Sequence, residues 1–429
     1  MQRFGRARSL ALDISPLRDS VPFRALCIGQ IVSQIGTQMR VVAIPFQVFD
    51  LTGSTVAVGL IGLAEVVPLV AFSLVGGALA DTYDRRKLML FSQLLLLIDS
   101  LALAAVSLSD TPSLVAIYAL TAVGSSLDAI DKPARRAMEP SLVRPEQLPA
   151  AVALRQVVYQ TTQIAGPAVG GALIAVLGGR VEAVYVADAA TFVASLVALH
   201  WLPRRVPLGE GSAGGVGLTA VREGLRFVLH TPIIFSIFLI DLVAMIFGMP
   251  RAVFPELASE TFGLSAAGLG LLYAAPSVGA LIGALTTGWV GGVKRHGRAV
   301  LLAVMVWGLA ITGAGLSLFS LWLTLAFLAL AGAADVVSAV FRGTILLQAT
   351  PDHLLGRSTA LNLMVVAGGP RIGDVEAGLM AGLVGAGPSV LVGGVACLAG
   401  TAVVGAAFPQ LRTYVRPASP SAEEPSPVR

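Results

Sequence analysis

Charge is scarce in this chain. Asp, Glu, Lys and Arg make up only 13% of its 429 residues, whereas soluble domains carry about 25%, so a water-soluble globular fold is not expected. Cysteine is nearly absent. Cys27 and Cys397 both fall in apolar stretches, which implies no disulfide framework. The four histidines, His200, His230, His296 and His353, lie at the ends of apolar stretches or in loops and do not cluster. No metal-ligand spacing is visible, and no GxxxxGK[ST] element offers a cradle for ATP. The chain therefore does not read as an enzyme, and neither a cofactor nor a metal is expected. Lysine occurs only as Lys87, Lys132 and Lys294. The net charge of +4 sits in short loops, so it does not point to nucleic acid.

Apolar residues are present in abundance, at 55% with 47 glycines and a mean hydropathy of +0.82. Twelve apolar segments are legible, at about 24–48, 56–80, 88–108, 112–134, 148–177, 183–202, 232–254, 266–292, 299–319, 321–346, 358–384 and 388–408. About 20 residues suffice to cross about 30 Å of hydrocarbon, and helix bundles satisfy the backbone there. The expected fold is an all-α membrane protein. Residues 1–23 hold Arg3, Arg6, Arg8, Asp13 and Arg18 without an apolar core, which suits a cytoplasmic leader better than a cleaved signal. Basic residues such as Arg85, Arg86, Lys87, Lys132, Arg144 and Arg357 fall on one side of the alternating loops. The other side holds little beyond Arg180 and Arg251. Both termini are thus expected in the cytoplasm.

The last six segments are a faint copy of the first six. Gly59 and Gly77 recur as Gly270 and Gly288, and Pro45 and Gly53 as Pro255 and Gly263. Arg136 and Pro145 recur as Arg342 and Pro351, and Gly166, Gly171 and Gly178 as Gly373, Gly378 and Gly385. Two parallel repeats of six helices describe a secondary transporter with its site between the halves. The expected domains are a leader (1–23), an N-terminal bundle (24–203), a linker (204–231), a C-terminal bundle (232–412) and a disordered tail (413–429). Within the linker, Gly209 to Gly217 is flexible in composition. Residues 218–230 then place Leu218, Val221, Leu225 and Val228 on one face, as in a helix lying on a membrane surface.

Three stretches carry a family resemblance. The loop GGALADTYDRRKLML, with Gly77, Asp81, Arg85, Arg86 and Lys87, resembles the cytoplasmic loop signature of the major facilitator superfamily, although Asp84 stands where that pattern has Gly. Segment five, QIAGPAVGGAL, resembles the antiporter signature of the same superfamily through Gly166, Pro167, Gly170 and Gly171. In the second half, residues 255–288, Thr350-Pro351, Leu354 to Arg357 and Gly373-Asp374 resemble the enterobactin exporter branch. The resemblance covers nearly the whole chain except leader and tail. It implies twelve transmembrane helices in two pseudo-symmetric six-helix bundles, in the inner membrane of a bacterium. It also implies proton-coupled export of a small organic molecule, with a siderophore as the first expectation. Multidrug or macrolide-type efflux is the alternative, and a non-transporting receptor or scaffold the third. The expected partners are the cargo, protons and the lipid bilayer, in a monomer. The loop signature implies a latch in which Asp81 meets Arg135 or Arg136 and the start of segment eleven near Ser358. The repeat position of Asp81 is Gly292, so the latch should be one-sided.

Ionisable groups within spans are functional candidates, since each costs at least about 2.5–3.5 kcal/mol to insert. Asp374 follows Gly368-Gly369-Pro370-Arg371, where the helix is expected to be broken, and it occupies the repeat position of Pro167. It is the first candidate for proton coupling, ahead of Asp335 and Asp241. The other reading is a structural pair with Arg371. Asp128, Asp131 and Arg135 share a helix face, as do Asp335 and Arg342. Gln30, Gln34 and Gln38 are spaced by four on one face of segment one, and Gln156, Gln160 and Gln163 form a similar stripe on segment five. These stripes either line a polar cavity or bond neighbouring helices. Arg40 and Arg371 are the deep cations. Arg40 either binds an anionic group of the cargo or is neutralised by a nearby acid.

Overall fold

The computed structural model describes residues 13–202 and 218–416, and for residues 74, 78, 80, 81 and 218–221 it describes the backbone alone. The leader arginines at 3, 6 and 8, the Gly-rich linker and the tail from Pro417 lie outside the described residues. No strand occurs among the described residues. The long helices are α1 (Val21–Thr52), α2 (Thr55–Thr82), α3 (Arg85–Ser107), α4 (Leu114–Met138), α5 (Leu148–Val176) and α6 (Val181–His200), then α7 (Pro232–Phe247), α8 (Ala266–Leu285), α9 (His296–Leu316), α10 (Leu321–Ala349), α11 (Asp352–Val384) and α12 (Ala386–Ala407). A further helix, Leu218–His230, precedes α7.

Short polar residues set where these helices begin. Ser20, Ser54 and Ser113 each accept a backbone N–H three residues on, at the starts of α1, α2 and α4. Asp84 accepts the N–H groups of Arg86 and Lys87 and so caps α3. The residue that departs from the loop signature has thus become a helix cap. The segment expected at 232–254 ends as an α-helix at Phe247 and continues through a 3-10 turn, Arg251–Val253, and a π-turn, Leu257–Thr261. The expected break at Gly368-Gly369-Pro370 is absent, because α11 runs unbroken from Asp352 to Val384. Pro370 removes one N–H, but the flanking glycines are buried, and Gly369 packs against Met245.

Nine of the described helical segments are long and apolar enough to cross a membrane. The remaining long helices, α1, α5 and α11, have 32, 29 and 33 residues. They are long enough to span, but they carry the glutamine stripes and the charged residues Arg371, Asp374 and Glu376. The chain is a multi-pass membrane protein.

Helix pairing repeats with an offset of six. α1 packs on α5 and α6, α2 on α4, and α3 on α4 and α6; α7 packs on α11 and α12, α8 on α10, and α9 on α10 and α12. Two further pairings cross between these sets, α2 with α11 and α5 with α8. Glycines matched by the sequence repeat meet at both crossings. A Cβ placed on Gly378 would lie 2.8 Å from the Cα of Gly59, and one placed on Gly171 would lie 2.9 Å from the Cα of Gly270. Only glycine permits backbones to approach so closely. Toward the other ends of α2 and α8, Gly77 and Gly288 face open space.

Helix Leu218–His230 packs through Gly224 and Val228, with Gly224 against Arg357 of α11. Leu225 is exposed but Val228 is buried, so the apolar face expected from the sequence divides between protein and surroundings. The side chains of Leu218 and Val221 lie outside the described residues.

Candidate functional site

The charges within the helices fall into two kinds, sealed and partly open. Arg40 of α1 belongs to the first. Its Nη1 donates to Asp99 Oδ2 of α3 at 3.0 Å and to Ser100 Oγ at 3.2 Å, and its Nε lies 3.5 Å from Asp188 Oδ2 of α6. Ser100 Oγ donates to Asp188 at 2.7 Å. The Arg40 side chain is 10% exposed, and both carboxylates are fully buried. Arg40 is therefore not a free cation facing a cavity; it ties α1 to α3 and α6. Burying it alone would be prohibitive, so the two acids are what make the position tenable.

A second buried arginine, Arg342 of α10, lies 2.8 Å from Asp241 Oδ1 of α7 and 3.7 Å from Asp335 Oδ1, and it donates to Ser338 Oγ at 3.1 Å. Asp241 is sealed, but Asp335 is 28% exposed. Its counterpart in the first half is Arg135 rather than Arg136. Arg135 is buried and holds Asp131 four residues earlier at 3.0 Å, just as Arg342 holds Ser338, whereas Arg136 is exposed.

The partly open charges gather where α2 meets α11. Arg371 Nε of α11 lies 2.6 Å from Glu65 Oε2 of α2, with side chains 31% and 25% exposed. One turn further along α11, Asp374 Oδ2 accepts from Arg251 Nη2 at 2.8 Å. Arg251 sits in the 3-10 turn after α7, and its carbonyl accepts from the Tyr273 hydroxyl of α8 at 3.1 Å. Asp374 thus has a structural partner, but that partner is Arg251, and Arg371 is given to Glu65. Arg251, expected as a loop charge, is instead half-buried within the helices. Glu65, Arg251, Arg371 and Asp374 thus form a partly exposed quartet of charges where α2, α11 and the turn after α7 meet.

The glutamines divide. Gln30, Gln34 and Gln38 are half-buried; Gln156 is exposed, Gln160 buried, and Gln163 donates to the Tyr159 hydroxyl at 3.3 Å. Gly166 and Gly170 abut Gln38 and Met39 of α1, and Gly171 abuts α8; Pro167 is buried within α5. Of the latch residues, Arg85 Nη1 donates to Ala137 O at 2.9 Å, and Arg86 donates to the carbonyls of Leu199 and His200 at the end of α6. These basic side chains satisfy the last carbonyls of neighbouring helices. A Cβ on Gly77 would meet nothing within 4 Å among the described residues, whereas one on Gly76 would collide with the Ala129 carbonyl. The Asp81 side chain lies outside the described residues. Ser358, its expected partner, is fully buried, and its hydroxyl has no hydrogen-bond partner among the described residues. On α4, Lys132 holds Asp128 at 2.9 Å, and Asp131 accepts from Ser92 Oγ at 2.8 Å.

Sequence reasoning ranked neither Glu65 nor Arg251. One signal for Arg251 existed, since it stands one residue after Pro250, the position that the offset of Pro45 and Pro255 matches to Arg40. Nothing in the sequence pairs Glu65 with Arg371, which lie on different helices. Away from these groups, a cleft of about 490 Å3 lies between helix Leu218–His230 and the start of α11, lined by Arg226, His230, His353 and Arg357 among others. Among the described residues no cluster of three or more His, Cys, Asp or Glu side chains could hold a metal.

Comparison with known proteins places this geometry in context. The family described as transmembrane secretion effector matches residues 11–426. The chain is 33% identical over 377 residues to the enterobactin exporter EntS of Escherichia coli O1:K1 / APEC, covering 88% of both chains. Among solved structures, it resembles a bacterial homologue of the iron transporter ferroportin in its inward-facing state, with TM-score 0.69 and 16% identity, over 92% of this chain and 99% of that one. It also resembles a bacterial homologue of the human lysosomal transporter Spinster, with TM-score 0.72 and 15% identity, over 93% and 98%.

Proposed function

The chain belongs to the transmembrane secretion effector family of the major facilitator superfamily, and from that premise we propose that it exports a catecholate-type siderophore, driven by protons. We read α1–α6 and α7–α12 as two six-helix bundles, about 24–203 and 232–412, that rock around the space between them. The repeated pairing and the two glycine seams support that reading. Lys and Arg gather at one end of the bundle, which supports cytoplasmic termini in a bacterial inner membrane. The protein acts as a monomer. The seams pack toward the opposite, outer end, so the space opens to the cytoplasm in this conformation.

The observation that carries the reading is Arg371, partly exposed on α11 where the bundles meet. A metal-free siderophore is large, polar and often anionic, and it needs a reachable cation and many hydrogen-bond donors. Arg371 supplies the first, and the amides of Gln30, Gln34, Gln38, Gln156 and Gln163 supply the second. The similarity to the enterobactin exporter EntS over most of both chains favours this cargo.

Charge and exposure together point to a proton site. The quartet is balanced, with two acids and two arginines. Arg40 and Arg342 each face two carboxylates, so each group has room for one proton, but both acids of Arg40 are sealed, whereas Asp335 is an open side of the Arg342 group. Asp335 therefore moves ahead of Asp374, with Asp241 as its sealed companion. Asp81, with Arg135 or Arg136, latches the cytoplasmic side in the opposite conformation.

Deleting the gene should trap siderophore inside iron-starved cells, and restoring the wild-type gene should release it. A partly exposed acid at Asp335 also suits lipophilic cationic drugs. Unchanged siderophore secretion together with new drug sensitivity in the deletion strain would move the reading to multidrug efflux. The open charges between the bundles argue against a non-transporting receptor.

A further inference from the structure

Resting on the export reading above, we propose that Glu65 is an internal stand-in for the anionic group of the cargo. It occupies Arg371 while the carrier is empty, and a cargo anion arriving from the cytoplasm exchanges for it. That exchange releases the ion pair tying α2 to α11.

Three observations converge. First, the Glu65–Arg371 pair, at 2.6 Å, crosses between the two sets of helices, whereas Arg251–Asp374 lies within the second set. Second, the pair sits where the α2–α11 glycine contacts begin. A Cβ on Gly62 would collide with the Arg371 carbonyl, and one on Gly59 would lie 2.8 Å from the Asp374 carbonyl. The same two residues that approach the open space are thus anchored on the outer seam. Third, Arg371 is the more weakly held cation. Arg251 has its carboxylate and the Tyr273 contact on its carbonyl, and Arg40 and Arg342 are sealed between two acids each. Arg371 is more exposed than Glu65, which is its one salt-bridge partner among the described residues. A cargo carboxylate or catecholate can reach it without uncovering a buried group.

An exchange of this kind explains how binding on one side opens the other. Between α2 and α11 the seam is closed by backbone contact, a long hydrogen bond from the Thr55 hydroxyl to the Gly378 carbonyl and the Glu65–Arg371 ion pair. Replacing the Glu65 carboxylate by a mobile anion keeps Arg371 satisfied but breaks the link to α2. The ligand then favours the opened seam because only there can Arg371 turn fully toward it, which is the differential affinity a population shift requires.

The test uses the full-length protein in nanodiscs, with Cys27→Ala and Cys397→Ala removing the native thiols. Spin labels at Leu51→Cys and Val384→Cys then report the outer distance between the two helix sets. Without ligand, Glu65→Gln and Arg371→Gln should each shift the distribution to longer distances. With 2,3-dihydroxybenzoate as probe, Glu65→Gln should bind about tenfold more tightly, because an internal competitor that leaves the site free about a tenth of the time has been removed. Arg371→Gln should not bind it. The exchange Glu65→Arg with Arg371→Glu should restore the short distance but not dihydroxybenzoate binding. Unchanged distance and affinity in Glu65→Gln would overturn the proposal, as would a charge exchange that restores both closure and binding. Weaker binding of tetraphenylphosphonium by Glu65→Gln, with no dihydroxybenzoate binding by the wild type, would overturn it too, making Glu65 a ligand for cations. Tighter dihydroxybenzoate binding alongside normal siderophore secretion in the deletion strain would refute the cargo and keep the exchange.

Discussion

Replacing Arg40 separates a structural cation from a cargo-binding one. In Arg40→Met the side-chain volume is nearly kept, but the Asp99 and Asp188 carboxylates, both fully buried, lose their counter-charge. Removing one partner of a buried ion pair costs about 3–5 kcal/mol, most of it the penalty of the charge left behind. For domains of about 150–250 residues, 1 kcal/mol moves the unfolding midpoint by about 2–4 °C, and a larger chain responds less per kcal/mol. A fall of at most about 6–10 °C is therefore expected in detergent, read by thermal size-exclusion chromatography. Neutralising the acids as well, as Arg40→Met with Asp99→Asn and Asp188→Asn, should recover most of that loss, because no unpaired charge remains. Residual transport in vesicles should track the amount of folded protein. If Arg40→Met unfolds at the wild-type temperature yet fails to bind or export anionic cargo, the sealed reading of Arg40 is wrong.

Three further outcomes follow from the same geometry. Asp335→Asn should abolish transport driven by an imposed pH gradient in vesicles while keeping the protein folded, whereas Asp374→Asn, by freeing Arg251, should lower stability first; the reverse order would return Asp374 to the coupling role. Gly378→Val places a side chain against the Thr55 carbonyl, 2.6 Å from its Cβ position, and against Gly59. The overpacking costs about 1–3 kcal/mol, which should shift the population away from the closed outer seam by about 5–150-fold, seen as faster thiol labelling from outside at Leu51→Cys. Asp84→Ala removes the cap of α3 and should cost about 1 kcal/mol, measured as a small fall in the unfolding midpoint without a change in cargo affinity.

Hydropathy alone determined most of the helices, because crossing hydrocarbon demands length and apolarity and little else. The repeat was legible for a similar reason. Gly59 with Gly270 and Gly171 with Gly378 must stay glycine wherever two backbones touch, and Gly53, Gly263, Gly178 and Gly385 hold positive φ at matching helix ends. The membrane therefore wrote the architecture into the sequence residue by residue. Charge pairing was not written that way. An arginine inside a span reads the same whether two acids seal it, as with Arg40, or one acid shares it across a seam, as with Arg371. Which acid answers which arginine depends on the rotation and depth of helices far apart in sequence, so Arg251 reads as a loop charge and the only pairing the sequence offers Asp374 is its near neighbour Arg371. Only the tertiary structure sets Glu65 against Arg371, because their 2.6 Å contact exists only once α2 and α11 pack glycine to glycine.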